Sequence, residues 1–198
     1  MTHVFLERRF ATPLTAEAVL AISLRAGDCL DRHRVTWLGS LLAQDGRRMF
    51  CHFQAPDAES TRTALYQALA DPVLQQAIAA YGAEIRGLWP GTVHEAADLD
   101  ASTGPAANVL VERHFEAPVT VEAIQQIEDA GAACLDNHRV RFVRSFFARN
   151  RQRMVCLYRA PDAESVRLAQ RQAGMPMTRV WAFHAVPPPH PTGSHATS

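Results

Sequence analysis

The stretch Cys29-Leu30-Asp31-Arg32-His33-Arg34-Val35 returns once in the chain, as Cys134-Leu135-Asp136-Asn137-His138-Arg139-Val140. Only the residue before the histidine changes. The match extends outward without a gap, aligning residues 4–68 with 109–173 at a constant shift of 105. Shared positions include Glu7-Arg8, Phe10, Pro13, Thr15, Glu17, Ser40, Arg48-Met49-x-Cys51 and Ala55-Pro56-Asp57-Ala58-Glu59-Ser60. A self-match this long is an internal duplication, so the 198 residues divide into two small units. Units of about 80–95 residues bury a limited share of their surface, which predicts that they pack on each other.

Each copy reads the same way. Residues 3–10 and 108–115 have the apolar, β-branched character of a strand, closed by Pro13 and Pro118. Thr15 and Thr120 suit helix N-caps, and Glu17 and Glu122 put negative charge where the helix dipole favours it. Val19, Ile22, Ala26, Cys29 and His33 then recur at 3–4 spacing, as do Ile124, Ile127, Gly131, Cys134 and His138, which predicts one helix running to the histidine. Val35–Ala43 and Arg48–Ala55 read as a hairpin turned at Asp45-Gly46. The second copy has Arg149-Asn150-Arg151-Gln152 there, where Asn can adopt positive φ. Asp57 caps a second helix, and Gly174 ends its counterpart. The first copy inserts 13 residues, with Asp71-Pro72 breaking the helix and an extra one over about 73–81, before a strand to Trp89, the counterpart of Trp181. Met177–Phe183 form the last strand.

The order strand–helix–strand–strand–helix–strand is ferredoxin-like. It leaves one sheet face bare, and two bare faces can cover each other. The fold expected is α+β: two βαββαβ repeats packed sheet to sheet as an intramolecular dimeric α+β barrel. The first repeat spans 1–95, a linker 96–107, the second repeat 108–186, and 187–198 form a disordered Pro-rich tail.

Twenty acidic residues balance twenty basic ones, all arginine, and the zero net charge offers no field for nucleic acid or an anionic membrane. The absence of lysine fits codon bias in a GC-rich genome. No signal peptide or membrane span is visible, so a cytoplasmic location is expected. There Cys29, Cys51, Cys134 and Cys156 would be free thiols.

Cys29 with His33, and Cys134 with His138, point the same way from a helix, and thiolate and imidazole suit zinc, nickel or copper. Two ligands do not make a site; further ones would come from strands, such as Glu7, Cys51 or their copies Glu112 and Cys156, or from water. Equally, Cys29 continues an apolar stripe, and a histidine in a last helical turn can simply serve the dipole. One member each of Glu7-Arg8 and Glu112-Arg113 faces the inner side of the sheet and needs a partner, which Arg48 and Arg153 can supply unless they are plain hairpin charges. His3, His52, His94, His114, His184, His190 and His195 are not duplicated and read as surface residues. No nucleophile elbow, glycine-rich phosphate loop or CxxC is present.

These residues resemble a bacterial family of small nickel-binding ferredoxin-like domains. The resemblance rests on Glu-Arg-x-Phe at 7–10, Cys-Leu-x-x-His at 29–33, Gly-Arg-Arg-Met-Phe-Cys at 46–51, Ala-Pro-Asp-Ala-Glu at 55–59 and Arg-Val-Trp at 179–181. It covers nearly all of both copies. The family typically forms homodimers of one domain, so this chain resembles such a dimer in one polypeptide, with further homodimerisation left open. Arg34 and Arg139 depart from the glycine usual after the histidine. The resemblance implies nickel binding; together with the duplicated Cys-x-x-x-His it points to a metal-binding protein without catalytic activity, holding nickel or a similar divalent ion through His33 and His138, with Cys29, Cys134, Glu7 and Glu112 as the further candidate ligands. The alternative reading is a small-molecule-binding or monooxygenase-like enzyme using the cavity between the two sheets.

Overall fold

The computed structural model describes residues 1–96 and 107–189, so most of the expected linker and tail lie outside the described residues. The first repeat comprises β1 (Thr2–Phe10), α1 (Ala16–Arg25), α2 (Gly27–Arg32), β2 (Thr36–Ala43), β3 (Arg48–Ala55), α3 (Ala58–Ala68), α4 (Pro72–Ala80) and β4 (Ala83–Glu95). The second comprises β5 (Val109–His114), α5 (Val121–Ala130), α6 (Ala132–Asn137), β6 (Arg141–Ala148), β7 (Arg153–Arg159), α7 (Ala163–Gln172) and β8 (Arg179–Val186).

The strands close into a barrel in the order β1-β3-β2-β8-β5-β7-β6-β4. Each repeat supplies a ferredoxin-like sheet, and two antiparallel seams join them. One runs from Ser40↔Val186 to Ala43↔Phe183, the other from Gly91↔Ala148 to Glu95↔Arg144. The expected α+β barrel is the observed one. Strand alternation sends β1 side chains Val4 and Leu6 outward to the helices and Phe5 inward. Three buried clusters result, one under each helical layer and one inside the barrel.

The caps hold as expected: Thr15 accepts from Ala18 N at 3.2 Å, and Asp57 accepts from Ser60 N at 2.7 Å. The first helix does not run unbroken. It gives way to a second short helix at Ala26 and at Gly131, where Cys29 N and Cys134 N turn to carbonyls only three residues back. Gly131 also lies against Ala173, too close for a side chain to fit.

Arg34 and Arg139 both adopt φ 55°, the left-handed conformation that glycine takes most easily. The geometry demands it, because each helix ends in a Schellman motif. Val35 N bonds Leu30 O and Arg34 N bonds Asp31 O, both at 2.9 Å, and Val140 and Arg139 repeat the pattern. Arg34→Gly with Arg139→Gly is therefore expected to stabilise the fold by about 1 kcal/mol per site, read from the urea midpoint.

The second hairpin corrects one expectation. Positive φ falls on Arg151 (59°), not Asn150, matching Gly46 (67°) in the first repeat. Asn150 instead accepts from Gln152 N at 3.1 Å, as Asp45 accepts from Arg47 N at 2.9 Å. The carboxamide or carboxylate fixes the turn, and the next residue bends the chain.

Candidate functional site

Three places carry the candidate residues, and the sheet separates the first from the other two. At the helix ends, His33 and His138 cap α2 and α6, half-exposed. Each ring meets a glutamine from the next helix: His33 Nε2 lies 2.9 Å from Gln67 Oε1, and His138 Nε2 lies 3.0 Å from Gln172 Oε1. An amide oxygen only accepts, so in each contact Nε2–H is the donor. Cys29, one turn earlier, is buried and donates to Ala64 O at 3.3 Å, whereas Cys134 is half-buried. All four cysteines are unpaired thiols.

Inside the barrel, Glu7 and Glu112 each accept an indole N–H at 2.8 Å, from Trp89 and Trp181. Their cationic partners differ. Arg153 crosses from the second repeat to Glu7 at 3.1 Å, while Glu112 takes Arg179 of its own repeat at 2.8 Å. The reason is Gly87, which stands two residues before Trp89 where Arg179 stands before Trp181. Its missing side chain leaves the space that the Arg153 guanidinium fills. Arg48, displaced from the equivalent place, stays by the hairpin, 4.0 Å from Asp45. Of the two expected partners, one is a partner and the other a hairpin charge.

The middle of the barrel is filled by rings. Phe5 has the centroids of Trp89, Phe146, His52 and Phe50 at 4.6, 4.7, 4.8 and 5.5 Å. The interior cavity there opens at the barrel mouth, about 180 Å³ lined by Ser40, Phe50, His52, Arg144 and Phe146 among others.

At the barrel's His52 end stands a pair that the sequence places on the surface. His3 on β1 and His52 on β3 bring Nδ1 and Nε2 to 2.8 Å from each other, both rings half-buried. Burial, then the neighbouring His3 and Arg144, lowers the His52 pKa to about 4, so its ring is neutral at physiological pH. Arg144 is in turn paired with Glu95 at 2.5 Å. The available signal was register: once β1 and β3 are antiparallel neighbours with Val4 opposite Phe53, His3 and His52 stand diagonally on one inward face.

The six ligand candidates therefore do not converge. Glu7 and Glu112 are inside the barrel, and Cys29, His33, Cys134 and His138 lie on the helical layer. Among the described residues, no three His, Cys, Asp or Glu side chains come together in a group able to hold a metal ion. No helix among them is long and apolar enough to cross a membrane.

A mutant chlorite dismutase from Candidatus Nitrospira defluvii is similar over 94% of this chain and 93% of its own, at 10% identity and a TM-score of 0.56, a likeness of fold. A heme-binding protein from Thermus thermophilus covers 93% and 92% at 9% identity and a TM-score of 0.47. SCO4226 from Streptomyces coelicolor A3(2) aligns with 37% of this chain and 91% of its own, at 20% identity and a TM-score of 0.34. No curated protein sequence matches the chain. The family model for the nickel responsive SCO4226-like proteins fits twice, over residues 5–70 and again over 110–182. Each fit falls within one copy of the repeat, and together they span well over half of the sequence: the chain belongs to the SCO4226-like nickel responsive family, as a tandem member.

Proposed function

We propose that the protein binds nickel or a similar divalent transition metal through histidine nitrogens, without catalysing a reaction. The observation that carries this reading is the His3–His52 pair. Two imidazole nitrogens facing each other at 2.8 Å stand about as far apart as two adjacent ligands on one metal ion with bonds of roughly 2.1 Å. Neutral imidazole is a suitable donor for nickel, zinc or copper, and the low pKa of His52 keeps its ring neutral; the proton shared in the 2.8 Å hydrogen bond leaves, or moves to the far nitrogen of its ring, when a metal ion binds. The Arg144–Glu95 ion pair softens the positive charge of Arg144 beside His52. Water or an outside molecule completes the coordination.

His33 and His138 are the second place for the same chemistry. Each presents Nδ1 with its other nitrogen held by a glutamine, the arrangement that orients many ligating histidines. Each stands alone, however. Cys29 is committed to Ala64, and Glu7 and Glu112 to their tryptophans across the sheet. The reading therefore places the ion at the barrel mouth and leaves the helix ends as weaker, duplicated sites. The family's description supports it, and free thiols fit a reducing cytoplasm.

Nickel titration by calorimetry on tag-free protein tests it, with His3→Ala/His52→Ala and His33→Ala/His138→Ala alongside. The first variant is expected to weaken binding by at least about tenfold and the second by less. Equal affinity in all three proteins overturns the proposal. Loss confined to the second variant moves the site to the helix ends.

A further inference from the structure

Arg113 is almost wholly buried, at 1% exposure, yet fully served. Its Nε reaches Cys156 Sγ at 3.4 Å, Nη2 donates to Gln170 Oε1 at 2.7 Å and Tyr158 OH at 3.0 Å, and Nη1 donates to the Pro176 carbonyl. Tyr158 passes its own proton towards Glu128, 3.5 Å away. This is how a guanidinium survives between a sheet and its helices.

Arg8 occupies the equivalent position in the first repeat, and its surroundings have been stripped. Cys51 remains, but Phe53 stands for Tyr158, Leu65 for Gln170 and Ser23 for Glu128. The turn carrying Pro176 is replaced by the 13-residue insertion. Arg8 Nε is sealed from solvent without a hydrogen-bond partner, and burial alone weighs against its charge. Cys51 is no counter-ion, because burial raises its pKa despite Arg8 and Ser40. The arginine instead lines a cavity of about 50 Å³ walled by Phe10, Val19, Ile22, Leu65, Leu74 and Ile78. Leu74 and Ile78 come from α4, so the insertion that removes an acceptor also supplies an apolar wall. Arg25 Nη2, bonded to Asp71 Oδ1 at 3.0 Å, ties the start of α4 to the end of α1. No acidic residue and no histidine is among the cavity's lining residues.

We propose that the Arg8 cavity binds a small carboxylic acid with a short apolar tail, its carboxylate taking the place that Gln170, Tyr158 and the Pro176 carbonyl fill in the second repeat. Two carboxylate oxygens match the guanidinium fork. A phosphate fits worse, since a single arginine would face several charged oxygens in an otherwise apolar wall. About 50 Å³ corresponds to roughly four water-sized positions, which sets a tail of a few carbons. This site lies between helices and sheet, apart from the histidine pair inside the barrel, and does not depend on metal.

The test is binding of isovalerate to the full chain, by calorimetry and thermal shift, against isovaleramide (no charge) and formate (no tail). Isovalerate should raise the melting temperature and bind at least about tenfold more tightly than either control. Arg8→Met should abolish that binding while leaving the ligand-free protein folded. Leu65→Gln, which restores the acceptor of the second repeat, should also block it. Failure of isovalerate to bind, formate binding as tightly, or unchanged affinity in either variant overturns the proposal.

Discussion

Arg113→Met is expected to destabilise the protein by about 3–5 kcal/mol, while Arg8→Met, at the twin position, is expected to be neutral or stabilising. Removing the Arg113 guanidinium strands Gln170 Oε1 and takes a donor from Tyr158 OH, both in a buried site. Orphaned buried acceptors cost roughly 1–3 kcal/mol each, and breaking a buried charged network typically costs about 3–5 kcal/mol. Gln170 already keeps its Nε2 without a partner, so it has no slack to reorganise. At Arg8 the sign reverses, because methionine removes a buried Nε that has no partner and fills the same apolar wall. Urea midpoints of the two variants and the parent decide it. Equal losses at both positions would mean that the packing of the arginine stem outweighs its charge.

Phe5→Ala should be the most damaging apolar truncation inside the barrel, costing about 3–5 kcal/mol. Phe5 is fully buried, and its ring touches rings from β3, β4 and β6. β6 belongs to the second repeat, so the loss loosens both sheets at once. Leu110, its twin, is as deeply buried but has no aromatic ring, and Leu110→Ala should cost less, about 2–4 kcal/mol. Thermal unfolding with near-ultraviolet circular dichroism checks this, since Trp89 packs on Phe5 at 4.6 Å and reports the change.

The fold was legible because duplication doubled every local signal. Thr15 and Thr120, or Asp57 and Asp162, announce the same cap twice, and Asp45-Gly46 fixes a hairpin register that decides which residues face inward. The interruption at Ala26 was not legible, since 3–4 spacing continues across it and the break depends on how α3 and α7 lie against the helix. The site was read less well. Duplication drew attention to Cys29 and His33, residues that recur, whereas His3 and His52 recur nowhere and lie 49 positions apart. Only strand pairing brings them together. Arg8 looked like its twin Arg113, and the difference lay in Phe53, Leu65 and Ser23, each an unremarkable apolar or small residue by itself.

Two identical chains in a symmetric dimer must carry every substitution twice, once on each side of the axis. Here the two sides have drifted apart: Gly87 against Arg179, Leu65 against Gln170, His3 against Asn108. Joining the copies by one backbone releases each side from copying the other. A change that empties one arginine's surroundings leaves its twin intact to hold the barrel, so the stable half can underwrite specialisation in the other.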